Sequence, residues 1–189
     1  PPTPSGDTVL FAVVARIEQR KGQHRFLQAF ARALQDAPTD IRAAIVGDGV
    51  ERAACETLAR ELGIADRVVF TGFRDNPEDY LAAADVVCLS SEWEGVPQSL
   101  VQAAAVGRPA VAFDVPGIRE ILSDGRTGIV VPYPDIDAFA AAIRTLAADP
   151  RLRAEYGAAA ATINLDDFRL TTMVSQTESL YRELVPRPE

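Results

Sequence analysis

Short apolar runs alternate with segments that carry apolar residues at helical spacing along most of the chain. The apolar runs predict six β-strands, at residues 9–15, 42–46, 68–70, 85–89, 110–113 and 128–131. The intervening and following segments predict helices, around residues 27–34, 55–62, 79–84, 98–105, 117–122, 136–146, 151–161 and 170–184. Strand and helix follow one another in strict alternation up to the sixth strand.

The predicted strands are apolar throughout rather than at every second residue. Such strands are buried on both faces, which is typical of a parallel sheet covered by helices. Together with the alternation and right-handed crossovers, this predicts an α/β fold with a doubly wound, six-stranded, Rossmann-like parallel sheet. Ligands of these sheets bind at the carboxyl ends of the strands, so a site is expected in the loops that follow them.

The chain has 189 residues and no linker-like stretch in its middle, so we expect a single domain over residues 9–189. Residues 1–8 are rich in proline and are typical of a linker or of a boundary with a preceding segment. No signal peptide and no apolar stretch of membrane-spanning length occur. Cys55 and Cys88 fall among apolar positions, which predicts buried free thiols and a reducing, cytoplasmic compartment.

The formal net charge of −8 restricts the partners of the chain. A chain this acidic, with no large cluster of Lys and Arg, is expected to repel nucleic acid and anionic membranes. An anionic ligand must therefore be held by a few placed cations and not by the overall field.

Three cations follow the first predicted strand, in the segment Arg16-Ile17-Glu18-Gln19-Arg20-Lys21-Gly22, just before a helix. A helix N-terminus offers free N–H groups and partial positive charge. With Arg16 as a bidentate fork and Lys21 as a point charge, a diphosphate can be neutralised there. A solvated basic loop is the alternative that this segment alone leaves open.

The turn Gly47-Asp48-Gly49 after the second strand resembles part of the dinucleotide-binding pattern G-x-G-x-x-G. Arg52 stands at the position of the third glycine, and the motif lies in the second βα unit instead of the first. We therefore reject a dehydrogenase and expect a tight turn that lets backbone approach a ligand. No P-loop sequence occurs either.

The segment from Ser90 to Gln102 carries the most specific pattern in the chain, because it follows a buried strand and opens a helix. Gly95 allows close approach of backbone, and Pro97 suits a first helical turn. Glu94 and Gln102 are placed to hold two ends of one ligand. Capping by Glu94 and a solvent-facing Gln102 are the alternative.

Three further residues, at positions 24, 93 and 135, are of types that occur in binding or catalytic sites. Trp93 either shapes a ligand pocket or closes its loop by packing. His24, the single histidine, is expected on the solvent side of the first helix. Asp135 begins the pattern D-x-D, which binds metal in other proteins, but we interpret it as a helix N-cap followed by a first-turn acid.

Six segments in this order resemble the C-terminal domain of GT-B fold glycosyltransferases of the retaining, family 4 type. They are ARIEQRKG (15–22), IVGDGVER (45–52), VVFTGF (68–73), SEWEGVPQSLVQA (91–103), GRPAVA (107–112) and PGIREIL (116–122). Each segment alone is a weak signal, but six in sequence at the predicted sheet edge are specific. The resemblance runs from about residue 9 to residue 184.

The resemblance implies that a nucleoside diphosphate sugar is bound as the donor. Arg16, Lys21 and Glu94 are the implied catalytic residues, the first two on the diphosphate and the third near the sugar and phosphate. The implied donor-binding residues are Gly22, Gly47, Gly72, Phe73, Arg74, Gly95, Val96, Pro97, Ser99, Leu100 and Gln102.

Individual roles follow from the same resemblance. The backbone of Gly72, Phe73 and Arg74 is expected to meet the base, and the backbone of Ser99 and Leu100 to face the phosphates. Gln102 stands where the family usually has a second glutamate on the ribose hydroxyls. An amide can still bind a diol, but its uncharged hydrogen bonds are weaker.

The implied reaction is glycosyl transfer with retention, without a metal or other cofactor. The departing diphosphate gains negative charge, which Arg16, Lys21 and a helix N-terminus would stabilise. The resemblance also implies a preceding acceptor-binding domain that this chain lacks, so the isolated domain is expected to bind nucleotide weakly and to be inactive. Met173, Leu180, Tyr181 and Leu184 form a stripe on the last helix that is expected to pack toward that domain.

Several alternatives stay open at this point. The resemblance allows peripheral membrane association through the missing domain, and an exposed apolar face allows a homodimer. A non-catalytic nucleotide-binding or interaction module is the rival function, and Gln102 is the feature that favours it. A sugar epimerase of similar fold is a second rival, for which His24 is poorly placed.

Overall fold

The computed structural model describes residues 8–185, and within them six parallel strands form one sheet in the order β3-β2-β1-β4-β5-β6. The predicted doubly wound α/β fold is thereby confirmed. The strands are β1 (Val9–Val14), β2 (Ile41–Val46), β3 (Val68–Gly72), β4 (Val86–Leu89), β5 (Ala110–Phe113) and β6 (Gly128–Val131).

Seven α-helices of the described residues connect and cover the strands. They are α1 (Gln23–Gln35), α2 (Arg52–Glu61), α3 (Pro77–Ala83), α4 (Gln98–Ala105), α5 (Ile136–Ala148), α6 (Pro150–Ala160) and α7 (Leu170–Leu184). The helix predicted over residues 117–122 was wrong in type, because only a 3-10 turn forms there, at Ile118–Glu120. The turn ends at Ile121, whose φ of −123° lies outside the helical range.

The core is apolar on both faces of the sheet because the central strands carry hardly any polar residue. Phe11 of β1 meets Phe30 of α1 edge-on at 6.3 Å, and Phe26, one helical turn earlier, stacks on Phe30 at 5.6 Å. On the other half, Phe113 of β5 packs against Phe139 of α5 at 4.8 Å. Burial of each such ring contributes about 2–3 kcal/mol.

Both cysteines are buried and free, as predicted. Burial, with the nearby charges of Glu51 and Glu56, raises the pKa of the Cys55 thiol to about 11. Burial alone raises the pKa of Cys88, which lies in β4. Neither thiol is therefore a nucleophile at neutral pH.

The strand order creates a switch point between β1 and β4. From β1 the chain moves outward to β2 and β3, then returns to place β4 on the other side of β1 and continues to β5 and β6. The loops after β1 and β4 therefore leave in opposite directions, and a crevice opens between them at the carboxyl edge of the sheet.

Helix α7 leaves the body of the domain, and its main contacts there are with the 3-10 turn at Asp166–Phe168. Its predicted apolar stripe is exposed, since Met173, Leu180, Tyr181 and Leu184 are each more than half accessible to solvent. Among residues 8–185, no helix combines the length and the apolar character needed to cross a membrane. Residues 1–7 of the expected linker lie outside the described residues.

Candidate functional site

Two glycines allow the loop after β1 to lie against the backbone of the loops that follow β4 and β2. Gly22 has a left-handed φ of 67°, and a Cβ there would lie 2.1 Å from the carbonyl oxygen of Ser90. At Gly47, with φ of 139°, a Cβ would lie 2.0 Å from the carbonyl oxygen of Ala15. Both positions are thus closed to larger residues by the protein's own backbone. Their predicted contact with a donor stays a prediction.

Lys21 and Glu94 meet across the switch point. The Lys21 Nζ lies 2.7 Å from Oε1 and 2.9 Å from Oε2 of Glu94. The two side chains are only 16% and 5% exposed, so the pair is largely removed from water. Charge pairs attract more strongly there than at the surface, because less water screens them. Two of the three predicted catalytic residues are therefore in direct contact.

Two serines at the end of β4 hold this pair. The Ser91 hydroxyl donates a hydrogen bond to Oε1 of Glu94 at 2.6 Å, and the Ser90 hydroxyl donates to the backbone carbonyl of Lys21 at 3.1 Å. Both serines are buried. The sequence shows two polar residues directly after an apolar strand. It does not show which groups their hydroxyls bond.

Arg16 is placed differently from Lys21. Its side chain is 75% exposed, and its nearest charged partner within residues 8–185 is Glu18, at 3.7 Å. The backbone is fixed nonetheless, because the buried Gln23 donates from Nε2 to the Arg16 carbonyl at 2.9 Å. The structure thus brings Lys21, but not Arg16, into contact with Glu94, and it leaves the Arg16 guanidinium exposed at the rim of the crevice.

A second link between the two loops was missed at the level of sequence. The Arg20 guanidinium lies over the Trp93 ring at 4.5 Å and its Nε lies 2.7 Å from Oε1 of Glu18. The backbone N–H of Glu92 also donates to the Arg20 carbonyl at 2.8 Å. Trp93 therefore closes the loop by packing on Arg20, one of the two predicted roles, while its ring remains 52% exposed.

Helix α4 begins four residues after Glu94, and one backbone donor in its first turn is free. Pro97 precedes its first residue, and no side chain of residues 8–185 caps it. The amides of Gln98 and Leu100 donate to carbonyls of Val96 and Pro97, whereas within the described chain the Ser99 amide meets no acceptor. A free N–H and the partial positive charge of the helix start favour an anion at this place.

The remaining predicted residues form the rim of the crevice or its support. Phe73, Arg74, Gly95 and Val96 are exposed, and Gln102 is half-buried with no side-chain hydrogen bond to residues 8–185. Gly72 ends β3 and accepts a hydrogen bond from the Gly47 amide at 3.0 Å. The side chains of Ser99 and Leu100 are buried, so only their backbone groups are available to a ligand.

A recess of about 540 Å³ lies next to this rim, after β5. It is lined by Asp114, Val115, Pro116, Gly117, Arg119 and Glu120. Arg119 donates from Nε and Nη2 to the two carboxylate oxygens of Asp114, at 2.8 and 2.7 Å. Close approach of the recess to the loop after β4 depends on Gly117, where a Cβ would lie 2.8 Å from the carbonyl oxygen of Gly95.

Two residues of types that occur in catalytic or metal-binding sites lie at the starts of helices. His24 lies in the first turn of α1 and is half-buried rather than on the solvent side as predicted; burial and the charge of Arg25 lower its pKa. Asp135 accepts a hydrogen bond from the Ala138 amide at 2.8 Å, which confirms it as the N-cap of α5. Asp137 in the first turn pairs with Arg32 at 2.7 Å.

Comparison with known proteins identifies relatives of this arrangement. The sequence model of the family described as "Glycosyl transferases group 1" matches residues 2–162. Alpha-D-kanosaminyltransferase of Streptomyces kanamyceticus is 32% identical over 180 residues, which are 94% of this chain and 46% of that protein. N-acetyl-alpha-D-glucosaminyl L-malate synthase of Bacillus anthracis is 33% identical over 159 residues, 84% of this chain and 41% of that protein. The chain spans less than half the length of these relatives.

Solved structures give the same fold. Anabaena Alr3699/HepE in complex with UDP and glucose matches with a TM-score of 0.83 and 26% identity, over 94% of this chain and 49% of that one. TarM of S. aureus, in a complex that contains UDP, matches with a TM-score of 0.85 at 20% identity, over 91% and 35% of the two chains. The second likeness concerns the fold alone.

Proposed function

Because the chain belongs to the glycosyl transferases group 1 family, we propose that it is the donor-binding half of a retaining glycosyltransferase. It binds a nucleoside diphosphate sugar at the carboxyl edge of the sheet, and the sugar passes to an acceptor held by a separate domain. The observation that carries this proposal is the Lys21–Glu94 pair at 2.7 Å, buried at the switch point beside the free start of α4.

The proposed work of the site is to stabilise the departing nucleoside diphosphate. Its negative charge grows as the glycosidic bond to the sugar breaks, and preset positive groups lower the energy of that state. Lys21 meets the diphosphate with its remaining N–H, the Ser99 amide donates from the helix start, and the exposed Arg16 closes over it from the rim. We propose that these groups suffice without a metal ion or other cofactor.

Two other parts of the donor are assigned to the rim. Gln102 binds the ribose hydroxyls as an uncharged donor and acceptor, and the backbone of Gly72, Phe73 and Arg74 contacts the base. Support for a uridine nucleotide comes from the relative of 26% identity whose structure contains UDP and glucose. UDP is therefore the first ligand to test, ahead of GDP and ADP.

The acceptor belongs to the part of the enzyme that these residues do not provide. The curated relatives named above are more than twice the length of this chain. The exposed stripe of α7, which includes Met173 and Leu184, is the proposed contact with an acceptor-binding domain. We propose a cytoplasmic enzyme; association with a membrane surface through that domain and formation of a homodimer stay predictions.

Calorimetric titration of the chain with UDP, GDP and ADP, and with their sugar forms, tests this proposal. We expect UDP to bind weakly, and Arg16→Ala to weaken it about tenfold, because one charged hydrogen-bonding group is lost. The unfolding temperature should not change, because Arg16 is exposed. Arg74→Ala, which also removes an exposed cation from the rim, is the control and should have a smaller effect because the base is expected to meet backbone there.

Two results would count against the proposal. No binding of any nucleoside diphosphate by the unsubstituted chain would favour the second candidate, a non-catalytic interaction module. Gln102 favours that candidate, because the uncharged amide replaces a glutamate that the family usually has. Robust sugar transfer by the isolated chain would instead contradict the assignment of the acceptor to a separate domain.

A further inference from the structure

The carboxylate of Glu94 is held by a hydroxyl that the proposed function has not used. Ser91 is 1% exposed, and its Oγ donates to Oε1 of Glu94 at 2.6 Å. Ser91 is the second residue after the end of β4, and it lies in the protein interior. The hydrogen bond therefore adds a second, buried contact to the Glu94 carboxylate beside its contact with Lys21.

Lys21 and Glu94 do not use all of their hydrogen-bonding capacity on each other and on Ser91. Oε1 of Glu94 accepts from both Ser91 and Lys21, whereas Oε2 accepts, among residues 8–185, from Lys21 alone. A carboxylate accepts about four hydrogen bonds and an ammonium donates three. Lys21 thus keeps one N–H, and Oε2 keeps an acceptor position, while the ion pair stays intact. A ligand can be bound by the pair without breaking it.

The orientation of the carboxylate decides where that remaining N–H lies. A glutamate side chain free to rotate would carry the Lys21 ammonium with it, because both oxygens hold the same nitrogen. Fixing Oε1 from the other side removes this freedom. Preset donors are worth more to an anion than mobile ones, because less ordering is needed on binding.

We propose that Ser91 is a positioning residue for the donor diphosphate, acting through Glu94 on Lys21. The inference rests on the proposed function, because it needs a diphosphate at Lys21. Ser91 itself is buried behind Glu94 and makes no contact with the donor. The neighbouring Ser90 differs, because its hydroxyl supports the backbone of Lys21 and not the carboxylate.

A double-mutant cycle on the affinity for UDP tests this role, with Ser91→Ala measured in the unsubstituted chain and in Glu94→Gln. We expect Ser91→Ala to weaken UDP about tenfold in the unsubstituted chain, as for loss of a hydrogen bond to a charged group. In the Glu94→Gln chain the same substitution should weaken UDP less than about twofold, because the group it positions is already lost.

Thr127→Val is the matched control. Thr127 is also a buried hydroxyl, which accepts from the Ser123 amide at 2.9 Å, but it precedes β6 at the opposite edge of the sheet. It should lower the unfolding temperature and leave the affinity for UDP unchanged. If Glu94→Gln does not fold, uridine supplies the second comparison: Ser91→Ala should weaken UDP but not uridine, which has no phosphate for Lys21 to bind.

The outcomes separate the two proposals. Equal losses of UDP affinity in both backgrounds, equal losses for UDP and uridine, or no loss at all would overturn the role of Ser91 and leave the proposed function standing. Failure of the unsubstituted chain to bind any nucleoside diphosphate would overturn the proposed function, and the role of Ser91 with it.

Discussion

The ion pairs at the two edges of the sheet differ in their exposure to solvent. At the carboxyl edge, Lys21 and Glu94 form an ion pair in which the less buried partner is only 16% exposed. At the amino edge, Asp40 before β2 pairs with Arg67 and Arg42, and all three side chains are about a third exposed or more. The amino-edge pairs are solvated surface contacts, whereas the carboxyl-edge pair has given up most of its water.

The larger recess does not lie at the edge of the sheet that carries the buried ion pair. The amino edge carries a recess of about 750 Å³, lined by Gln28, Ala31, Arg32, Leu34, Gln35, Leu62, Gly63, Ile64, Asp66 and Arg67. The recess beside the loop after β4 is smaller, about 540 Å³. A buried ion pair adds little net stability, because desolvation offsets the attraction between the charges. Its presence at the carboxyl edge therefore points to a binding role, which volume alone would not reveal.

Lys21→Ala should give the largest effect, because the buried carboxylate of Glu94 would keep, among the residues that the structure describes, Ser91 as its one side-chain donor. We expect the free energy of unfolding to fall by about 3–5 kcal/mol and the affinity for UDP to fall about 100-fold. Urea denaturation and calorimetry measure the two quantities. Arg67→Ala, the amino-edge control, should cost less than about 1 kcal/mol and leave UDP binding unchanged.

The double variant Lys21→Ala, Glu94→Gln distinguishes loss of the ion pair from loss of packing. Without the stranded charge, most of the stability should return, but UDP binding should not. A stability cost of Lys21→Ala no larger than that of Arg67→Ala would contradict the difference between the two edges.

Gln102→Glu should have a smaller effect, and in the opposite direction. A carboxylate makes hydrogen bonds to a diol that are roughly twice as strong as those of an amide, so we expect UDP to bind about fivefold more tightly. The gain should disappear with 2′-deoxyuridine diphosphate, which lacks one of the two hydroxyls. An equal gain with both nucleotides would show that Gln102 does not contact the ribose.

The smallest expected effect is the pH dependence of stability that comes from Asp40, at the amino edge. Burial raises its pKa, but hydrogen bonds from Thr8 and Arg42 and the charge of Arg67 outweigh burial and hold the pKa below the ordinary 3.8. The folded state therefore binds the proton more weakly than the unfolded chain. The resulting stability is present above about pH 3.8 and is lost as the pH falls through the lower pKa of the folded state.

Asp40→Asn removes this dependence. The difference in urea midpoint between the unsubstituted chain and Asp40→Asn should be largest near neutral pH and shrink below about pH 3.8. A difference that stays constant down to pH 2 would show that the contacts of Asp40 contribute nothing that titrates. UDP affinity at neutral pH should be the same in both proteins.

Much of the fold could be predicted from the sequence because it depends on local patterns. The apolar runs of β4, β5 and β6 have no polar residue at which to end early, and their predicted bounds were close to those observed. The third strand was predicted to end at Phe70, with a turn at Gly72. It continues to Gly72 because that residue pairs with Val46 of β2, a contact that no local pattern contains.

The site was predictable in its parts but not in its connections. Lys21 and Glu94 each lie in a loop that follows a predicted strand, so both could be assigned to the carboxyl edge. Their contact depends on β4 lying beside β1, and the strand–helix alternation gives the class of sheet but not that order. The contact between Arg20 and Trp93 was missed for the same reason, as was the link from Ser91 to Glu94.

The central claim is that a diphosphate is captured at the carboxyl edge, and amide NMR of the ¹⁵N-labelled chain titrated with UDP tests it most directly. We expect saturable shifts in the amides of residues 16–22 and 90–102, with Ser99 among the largest because its N–H is free. The amides of residues 28–35 and 62–67 around the larger recess should not move. Shifts concentrated at that amino-edge recess, with the carboxyl edge unchanged, would contradict the account.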